Sequence, residues 1–168
     1  MASEFTLSGM LRLDCDLTNT QSIGGVADTS AIYQTFALAN GTGANQANIY
    51  VRKTGSVAAS ANDITTLSSV SVPTQSGTTY TASIDKIRVV YFKNTSATQF
   101  VQFSLTDTAG DPYWAAEVHP GGVLFWTVGA STVETSPGSV AIDKVAVYGL
   151  PSNTGAATYE MLLVGTKA

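Results

Sequence analysis

The sequence has few charged residues, one cysteine, one histidine and no long apolar run. Only 12% of its 168 residues are charged, compared with about 25% in an average globular protein. The lone Cys15 excludes a disulfide within the chain, and Cys15 together with the lone His119 is too little for a zinc site. Packing must therefore stabilise the fold. Its surface must consist largely of Ser, Thr, Asn, Gln and Gly, as is typical of extracellular and virion β-proteins.

Basic residues are also scarce and scattered. The eight Lys and Arg residues are spread from Arg12 to Lys167, and the net charge is −4. No basic stripe is present to neutralise a phosphate backbone, which predicts that nucleic acid is not a partner. No segment approaches the roughly 20 apolar residues that cross a bilayer. In Met1 to Leu17, apolar and polar residues alternate, whereas a secretory signal peptide has an unbroken apolar run. We therefore expect no membrane partner, and synthesis in the cytoplasm without a signal peptide.

The residues that are present favour β-strands. From Phe5 to Leu17, apolar residues occupy one parity, which is the period-two pattern of a half-buried strand. Gly9 interrupts this pattern and predicts a bulge or bend. Ile87 to Lys93 is apolar on both faces, which predicts a strand buried between two layers. We expect that strand to form a hairpin with Gln99 to Thr106 through a turn at Asn94 to Ser96.

The stretch from Gln99 to Gly129 contains both tryptophans and is predicted to organise the core. Turn-forming residues at Asp107 to Pro112 and at Pro120 to Gly122 predict that it is a three-strand antiparallel meander. Across the chain, about eight to ten strands are predicted at the spacing of a sandwich. No segment has helical periodicity, and there is no internal repeat or linker. We therefore predict a single all-β domain, residues 1–168, folded as an antiparallel β-sandwich.

Three segments resemble a known family. Leu38 to Asn48 reads LANGTGANQAN, His119 to Thr127 reads HPGGVLFWT, and Gly155 to Ala168 reads GAATYEMLLVGTKA. In this order they resemble small structural proteins encoded by tailed bacteriophages, which carry an NGTGANQA loop, a PGG turn leading into an apolar strand, and a closing strand like TYEIVIIG. The resemblance implies a jelly-roll or related β-sandwich, displayed on the virion as a capsid decoration protein or another minor structural subunit. Residues 1–37 do not share it.

The resemblance implies a binding protein and not an enzyme. The expected function is to bind the outer surface of the phage head and stabilise it, so the expected location is the virion. The expected partners are the major capsid protein and further copies of the chain, with a trimer matching the local threefold axes of a capsid. No cofactor or metal is expected. Residues 1–37 are the predicted attachment segment, and the candidate contact residues are Phe5, Arg12, Tyr113, Trp114 and His119.

Two alternative functions remain open. Tyr113, Trp114 and Trp126 suit a platform on which a sugar stacks, as in a receptor-binding or glycan-binding domain of a tail or fibre. A polysaccharide hydrolase would need two carboxylates across a groove, but the sequence selects no pair. His119 lies two residues after Glu117 and precedes a turn. Because no nucleophile or orienting network accompanies it, we predict an exposed turn residue and not a general base.

Other polar motifs are predicted to be structural. Asp107 and Asp111 flank a turn, and Asp14 and Asp16 share a strand face, so either pair could offer oxygen ligands to Ca²⁺. Aspartate at a turn ordinarily caps local backbone donors, and we favour that interpretation. The loop from Asn40 to Asn48 lacks the Gly-Lys-Ser/Thr ending of a P-loop and the spacing of a dinucleotide-binding loop. It is therefore predicted to be a connection.

Overall fold

The computed structural model describes residues 7–19, 26–43, 46–73, 79–107, 109–127, 133–134 and 142–167, and for residues 7–19, 26–36, 72–73, 80 and 133–134 it describes the backbone alone. These residues contain fourteen β-strands, a short 3₁₀ turn at Leu67–Ser69 and no α-helix. In chain order the strands are β1 (Leu7–Asn19), β2 (Val26–Asn40), β3 (Gln46–Ala47), β4 (Ile49–Val57), β5 (Asn62–Thr66), β6 (Val70–Pro73), β7 (Thr79–Ala82), β8 (Lys86–Asn94), β9 (Val101–Thr106), β10 (Pro112–Val118), β11 (Val123–Thr127), β12 (Val133–Glu134), β13 (Lys144–Gly149) and β14 (Ala157–Thr166).

Eight of these strands form two antiparallel sheets that pack against each other. The β8 sheet has the order β11-β8-β14-β4, with the short β12 also paired to β8, and the β9 sheet has the order β10-β9-β13-β5. Four strand pairs are nested along the chain, from the outermost to the innermost: β4 with β14, β5 with β13, β8 with β11, and β9 with β10. A long hairpin folded over into two sheets in this way is a jelly roll. The predicted all-β jelly-roll sandwich is confirmed.

Strand pairing differs from the sequence prediction at two turns. β10 pairs with β9 as predicted, but β11 crosses to the β8 sheet, so the predicted three-strand meander is wrong. Likewise, β8 pairs with β11 and β14 and not with β9, so the predicted hairpin is wrong. Both turns lead from one sheet to the other. This crossing lets strands that are consecutive in sequence supply apolar faces to the same core from opposite sides.

The core lies between the inner faces of the two sheets. Phe92 of the β8 sheet and Phe103 of the β9 sheet have ring centroids 4.8 Å apart, and Phe92 also stacks on Tyr159 at 5.6 Å. Burying one such side chain stabilises a fold by about 1.5–3 kcal/mol. β8 is buried on both faces, as predicted, because Phe92 packs in this core while Val89 packs in a smaller cluster elsewhere.

β1 and β2 form a long antiparallel pair, which we call the N-terminal ribbon (Leu7–Asn40). All of β1 pairs with β2, from Leu7 opposite Leu38 to Asn19 opposite Val26. The register continues through Gly9 without a shift, so the predicted bulge is wrong. Backbone contacts between the ribbon and the eight sandwich strands are sparse. The ribbon includes most of the predicted attachment segment, residues 1–37.

The ribbon joins the sandwich at its base. The last two residues of β2 pair in parallel with β3. Leu38 is buried together with Ala47, Val89 and Val164, in a cluster separate from the main core. This second cluster covers part of the outer face of the β8 sheet and fixes the point at which the ribbon leaves the sandwich.

Arg88 fixes the loop that follows the ribbon. Its side chain is only 2% exposed, and its guanidinium donates hydrogen bonds to the carbonyl oxygens of Gly43 at 2.8 Å and Gln46 at 3.3 Å. The Gln46 Oε1 atom in turn accepts a hydrogen bond from Gly43 N at 2.8 Å. Gly41 has a φ of 142°, which favours glycine. The NGTGANQA segment is therefore a connection, as predicted, and a buried cation holds it in place.

Candidate functional site

Three of the five candidate contact residues lie on β10 or directly after it. Tyr113 and Trp114 are near the start of β10, and His119 follows its last residue. Arg12 lies in β1 and therefore in a different sheet. Its side chain, like the whole of Phe5, is outside the described residues. The structure thus offers two separate candidate surfaces, the β10 edge and the ribbon.

β10 is an edge strand of the β9 sheet, and we call Tyr113 and Trp114 the aromatic edge. The pairing of β10 with β9 shifts register between Pro112 and Trp114, which is a β-bulge of the kind that re-aims side chains at a sheet edge. Tyr113 is 44% exposed and Trp114 is 42% exposed. The Trp114 indole also meets the buried Phe103 ring edge-on, with centroids 6.0 Å apart. Trp114 therefore has one side on the core and one side on solvent.

A cavity of about 320 Å³ lies beside Trp114. Its lining comes from both sheets and includes Phe103, Leu105, Trp114, Leu124, Trp126 and Ile142. Trp126 also packs against the main core, as predicted from the apolar run around it. The volume is at the low end of small-molecule sites, which span about 300–1,000 Å³. The described lining is apolar, so the cavity suits an apolar group or ring better than a charged or heavily hydroxylated one.

His119 is an exposed turn residue, as predicted. Its side chain is 72% exposed, with Nε2 3.6 Å from Glu117 Oε1, and its ring meets Phe100 edge-on at 4.9 Å. Its carbonyl oxygen accepts a hydrogen bond from Gly122 N at 2.8 Å. This bond closes a turn in which Gly121 has a φ of 73°, a conformation that suits glycine. An exposed imidazole and carboxylate at this separation form a weak surface pair when the imidazole is protonated.

A cluster that the sequence did not reveal joins the two sheets, and we call it the polar bridge (Lys53, Asp63, Thr65 and Tyr159). Lys53 Nζ donates to Asp63 Oδ1 at 2.6 Å and to Thr65 Oγ1 at 3.1 Å. The Tyr159 hydroxyl donates to Asp63 Oδ2 at 2.5 Å. Lys53 and Tyr159 come from the β8 sheet, whereas Asp63 and Thr65 come from the β9 sheet. These hydrogen bonds therefore cross from one sheet to the other.

The polar bridge shifts the pKa values of Asp63 and Tyr159 in opposite directions. Desolvation by burial raises the pKa of Asp63, but the hydrogen bonds from Lys53 and Tyr159 outweigh it and bring that pKa below its ordinary value. Burial, followed by the hydrogen bond to Asp63, raises the pKa of Tyr159 well above its ordinary value. Asp63 is therefore ionised and Tyr159 protonated. Their partners within the bridge are already engaged, so the arrangement suits a structural tie between the sheets.

Asp107 has the capping role predicted for it. Its Oδ1 atom accepts hydrogen bonds from Gly110 N at 2.8 Å and from Asp111 N at 2.9 Å. The described residues contain no group of three or more His, Cys, Asp and Glu side chains that could hold a metal ion. No helix long and apolar enough to span a membrane occurs in the part of the chain that the structure describes. The side chains of Asp14 and Asp16 lie outside the description.

The register of the ribbon places most of its large apolar residues on one face, which they share with Asp28, Ser30 and Gln34. In an antiparallel pair, residues directly opposite each other lie on the same face. Leu13 is opposite Ile32, and Arg12 is opposite Tyr33. The first pair belongs to a mainly apolar row, which we call the apolar row (Leu7, Leu11, Leu13, Cys15, Leu17, Ile32, Phe36 and Leu38). Leu38, whose packing is described, is buried at the base of the ribbon.

No protein-family model, curated protein or solved structure matches this chain. Its function is therefore inferred from the jelly roll, the ribbon and the aromatic edge.

Proposed function

We propose that this chain is a virion structural protein of a tailed bacteriophage, a capsid decoration protein that binds the outer surface of the head and stabilises it. The observation that carries the proposal is the ribbon. A jelly roll, a fold used by viral capsid and lectin domains, is extended by strands of 13 and 15 residues that make sparse contacts with the sandwich. Two long strands outside the core are expected to bind something else. The resemblance to phage structural proteins supports a protein shell as that partner.

The apolar row, apart from Leu38, which is buried at the base of the ribbon, is the proposed contact with the major capsid protein. The 13 residues of β1 extend for roughly 41 Å and two strands are about 10 Å wide, so one face of the ribbon offers about 400 Å². A stable interface buries about 800 Å² on each partner. One ribbon would therefore bind weakly, and firm attachment requires several linked subunits. Subunits that bind only the intact shell would raise its stability by mass action.

Binding to phage heads that lack this chain tests the proposal. Full-length protein and a variant lacking residues 1–36 are each mixed with such heads, and the pellets are compared after ultracentrifugation. The variant keeps Leu38 and its packing partners. We expect the full-length chain to saturate the heads and to raise the temperature at which they release DNA, whereas the shortened chain does neither.

The control for this experiment is Trp114→Ala, which changes the β10 edge and leaves the ribbon intact. It should bind heads as the wild type does. Saturation by the shortened chain would rule out attachment through the ribbon. Failure of the full-length chain to bind any head would rule out decoration altogether.

The aromatic edge favours a second candidate, a glycan-binding domain of a tail or fibre. Tyr113 and Trp114 are both exposed, and aromatic rings of this kind stack on sugars. A glycan array tests this candidate, since binding that is lost in Trp114→Ala and kept in the variant lacking residues 1–36 would support it. Absence of binding by the wild type would reject it. The apolar lining of the neighbouring cavity is the reason why decoration is preferred.

A further inference from the structure

Among the strands that the structure describes, β1 has a partner on one side only, and its other edge is long and open. The sheet order β1-β2-β3 places β1 at the edge, with β2 as the strand that pairs with it among the described residues. That edge is 13 residues long, without a register shift and without proline or lysine. Natural proteins usually blunt such edges with short strands, bulges, proline or lysine, because an open edge is a template for another strand. None of these devices protects β1, and its charged residues, Arg12, Asp14 and Asp16, are of both signs, so they do not prevent pairing with a second copy of the strand.

We infer that the edge of β1 is a homodimerisation surface, where β1 of a second copy of the chain pairs antiparallel about a two-fold axis. The two ribbons would then form one four-stranded sheet in the order β2-β1-β1-β2. Addition of a strand to an open edge is a common recognition mode, in which backbone hydrogen bonds supply the affinity. The inference concerns the protein in solution and does not depend on the proposed function.

The sequence of β1 selects one register for this pair. The register that uses every residue places Leu7 opposite Asn19 of the second copy and Leu13 opposite itself. Arg12 then lies opposite Asp14 of the second copy, and the two-fold axis generates this pair twice. Opposite charges at facing positions stabilise a strand pair. The longest register is thus also complementary in charge.

The neighbouring registers of the β1 pair are less favourable, because they bring mismatched residues or like charges together. A shift by one residue would place the apolar row of one copy beside the polar row of the other. A shift by two residues in one direction places Arg12 opposite Arg12, and in the other direction it places Asp14 opposite Asp14. Like charges directly opposite each other are destabilising. A dimer in the full-length register is the consequence, and this two-fold contact differs from the trimer that the resemblance implies.

Disulfide trapping in the full-length chain tests both the contact and its register. In a Cys15→Ala background, Leu13→Cys places two cysteines opposite each other, with Cα atoms about 4.5–5.5 Å apart, within the range that a disulfide bridges. We expect mild oxidation to convert most of this variant into a covalent dimer on a non-reducing gel. Leu11→Cys in the same background is the matched control. Its two cysteines would be four residues out of register, roughly 14 Å apart along the strands, and should not crosslink.

A second pair of chains, which both keep Cys15, tests the same register in the opposite way. Leu11→Cys in a chain that keeps Cys15 should crosslink, because the two positions face each other in the full-length register. The wild type, with Cys15 alone, should not. Equal crosslinking of all four chains, or crosslinking of the wild type at Cys15, would overturn the register. Absence of crosslinks in every variant, with a monomer mass from light scattering at high micromolar concentration, would overturn the dimer.

Charge exchange provides an independent measurement. Arg12→Asp places acidic residues opposite each other in both symmetric pairs, and we expect the dimer dissociation constant to rise by about tenfold or more. Combining Arg12→Asp with Asp14→Arg restores opposite charges and should restore the wild-type constant. Analytical ultracentrifugation measures both, with circular dichroism to show that the strands are retained. A double variant that remains as weak as the single one would contradict the proposed pairing.

Discussion

At the residue scale, the polar bridge shows how a cluster of side chains can tie two sheets together near the core. Lys53, Asp63 and Tyr159 satisfy one another across the gap between the sheets. The sequence could not reveal them, because Asp63 lies 10 positions from Lys53 and 96 positions from Tyr159. His119 was easier to predict. A histidine before a Pro-Gly-Gly turn needs only local information to be placed at the surface.

The first prediction is that Asp63→Asn lowers the free energy of unfolding by about 1–2 kcal/mol at pH 7, because charged hydrogen bonds to a partly buried carboxylate are lost. The pKa of Asp63 is lowered in the folded state, so its stabilising contribution is present above the unfolded pKa of about 4 and is lost as the pH falls through the folded pKa. The difference between wild type and Asp63→Asn should therefore shrink below about pH 4. Urea denaturation across the pH range measures it, and Asp111→Asn, at an exposed turn position, is the control with little effect. A difference that stays constant down to pH 2 would show that the Asp63 charge contributes nothing.

The second prediction compares two arginines. Arg88→Met should cost about 2–3 kcal/mol, because the part-buried carbonyl oxygens of Gly43 and Gln46 lose the charged donor of a buried side chain. Arg52→Met should cost less than about 1 kcal/mol, since Arg52 is 67% exposed and pairs with Glu160 at the surface, at 2.7 Å. Hydrogen exchange should also quicken at the amides of Gly41 and Gln46 in Arg88→Met alone. Equal losses of stability in the two variants would mean that burial of Arg88 has no special role.

At the scale of elements, the jelly roll depends on turns that lead from one sheet to the other. Asn94, at the end of β8, is fully buried. Its side-chain amide donates to the carbonyl oxygens of Gln99 at 2.8 Å and Val118 at 2.9 Å. These bonds join the end of the β8 sheet to the neighbouring ends of β9 and β10. Asn94 thus fixes the crossing that the sequence interpretation mistook for a hairpin turn.

The third prediction is that Asn94→Ala destabilises the protein by about 2–4 kcal/mol, because two buried carbonyl oxygens lose their donor. Asn62→Ala, at an exposed position of β5, is the matched control and should change stability by less than about 0.5 kcal/mol. Chemical denaturation of both variants measures the difference. A neutral Asn94→Ala would mean that the crossing is maintained by strand packing alone.

The strands were predictable from the sequence, whereas their partners were not. Alternation of apolar residues reports that one face of a strand is buried, and this placed β1 and β9 correctly, while a run that is apolar on both faces placed β8. The same pattern does not say which strand lies alongside, because a strand with one apolar face fits either sheet of a sandwich. Gly9 was misjudged for a related reason. Pairing along the whole of β2 keeps β1 regular despite a residue that weakens isolated strands.

The fourth prediction concerns the ribbon as an element. Removing residues 1–36 should shift the thermal midpoint by less than about 5 °C, equivalent to roughly 1–2 kcal/mol, because backbone contacts between the ribbon and the sandwich strands are sparse. Removing residues 1–40 should lower the midpoint further, since Leu38 and the pairing with β3 are then lost. Differential scanning calorimetry distinguishes the two. Unfolding of the chain that lacks residues 1–36 would show that the sandwich needs the ribbon.

At the scale of the whole molecule, the protein consists of a packed jelly roll and a ribbon that makes sparse contacts with it. In the proposed function, the jelly roll supplies stability, and the ribbon would offer its apolar row to the shell and the edge of β1 to a second copy of the chain. Two ribbons joined at β1 would offer about 800 Å² of apolar-row surface, twice the area of a single ribbon and equal to one side of a standard interface. Dimerisation would thus make the proposed attachment to a shell firm enough to persist.

The most direct test of this account is a cryo-electron microscopy map of the phage particle that carries the chain, at a resolution that separates β-strands. We expect jelly-roll density on the outside of the head, with each ribbon lying against the major capsid protein and the sandwich raised above it. A particle whose head shows no such density, or one in which the sandwich contacts the shell while the ribbon points into solvent, would contradict the account.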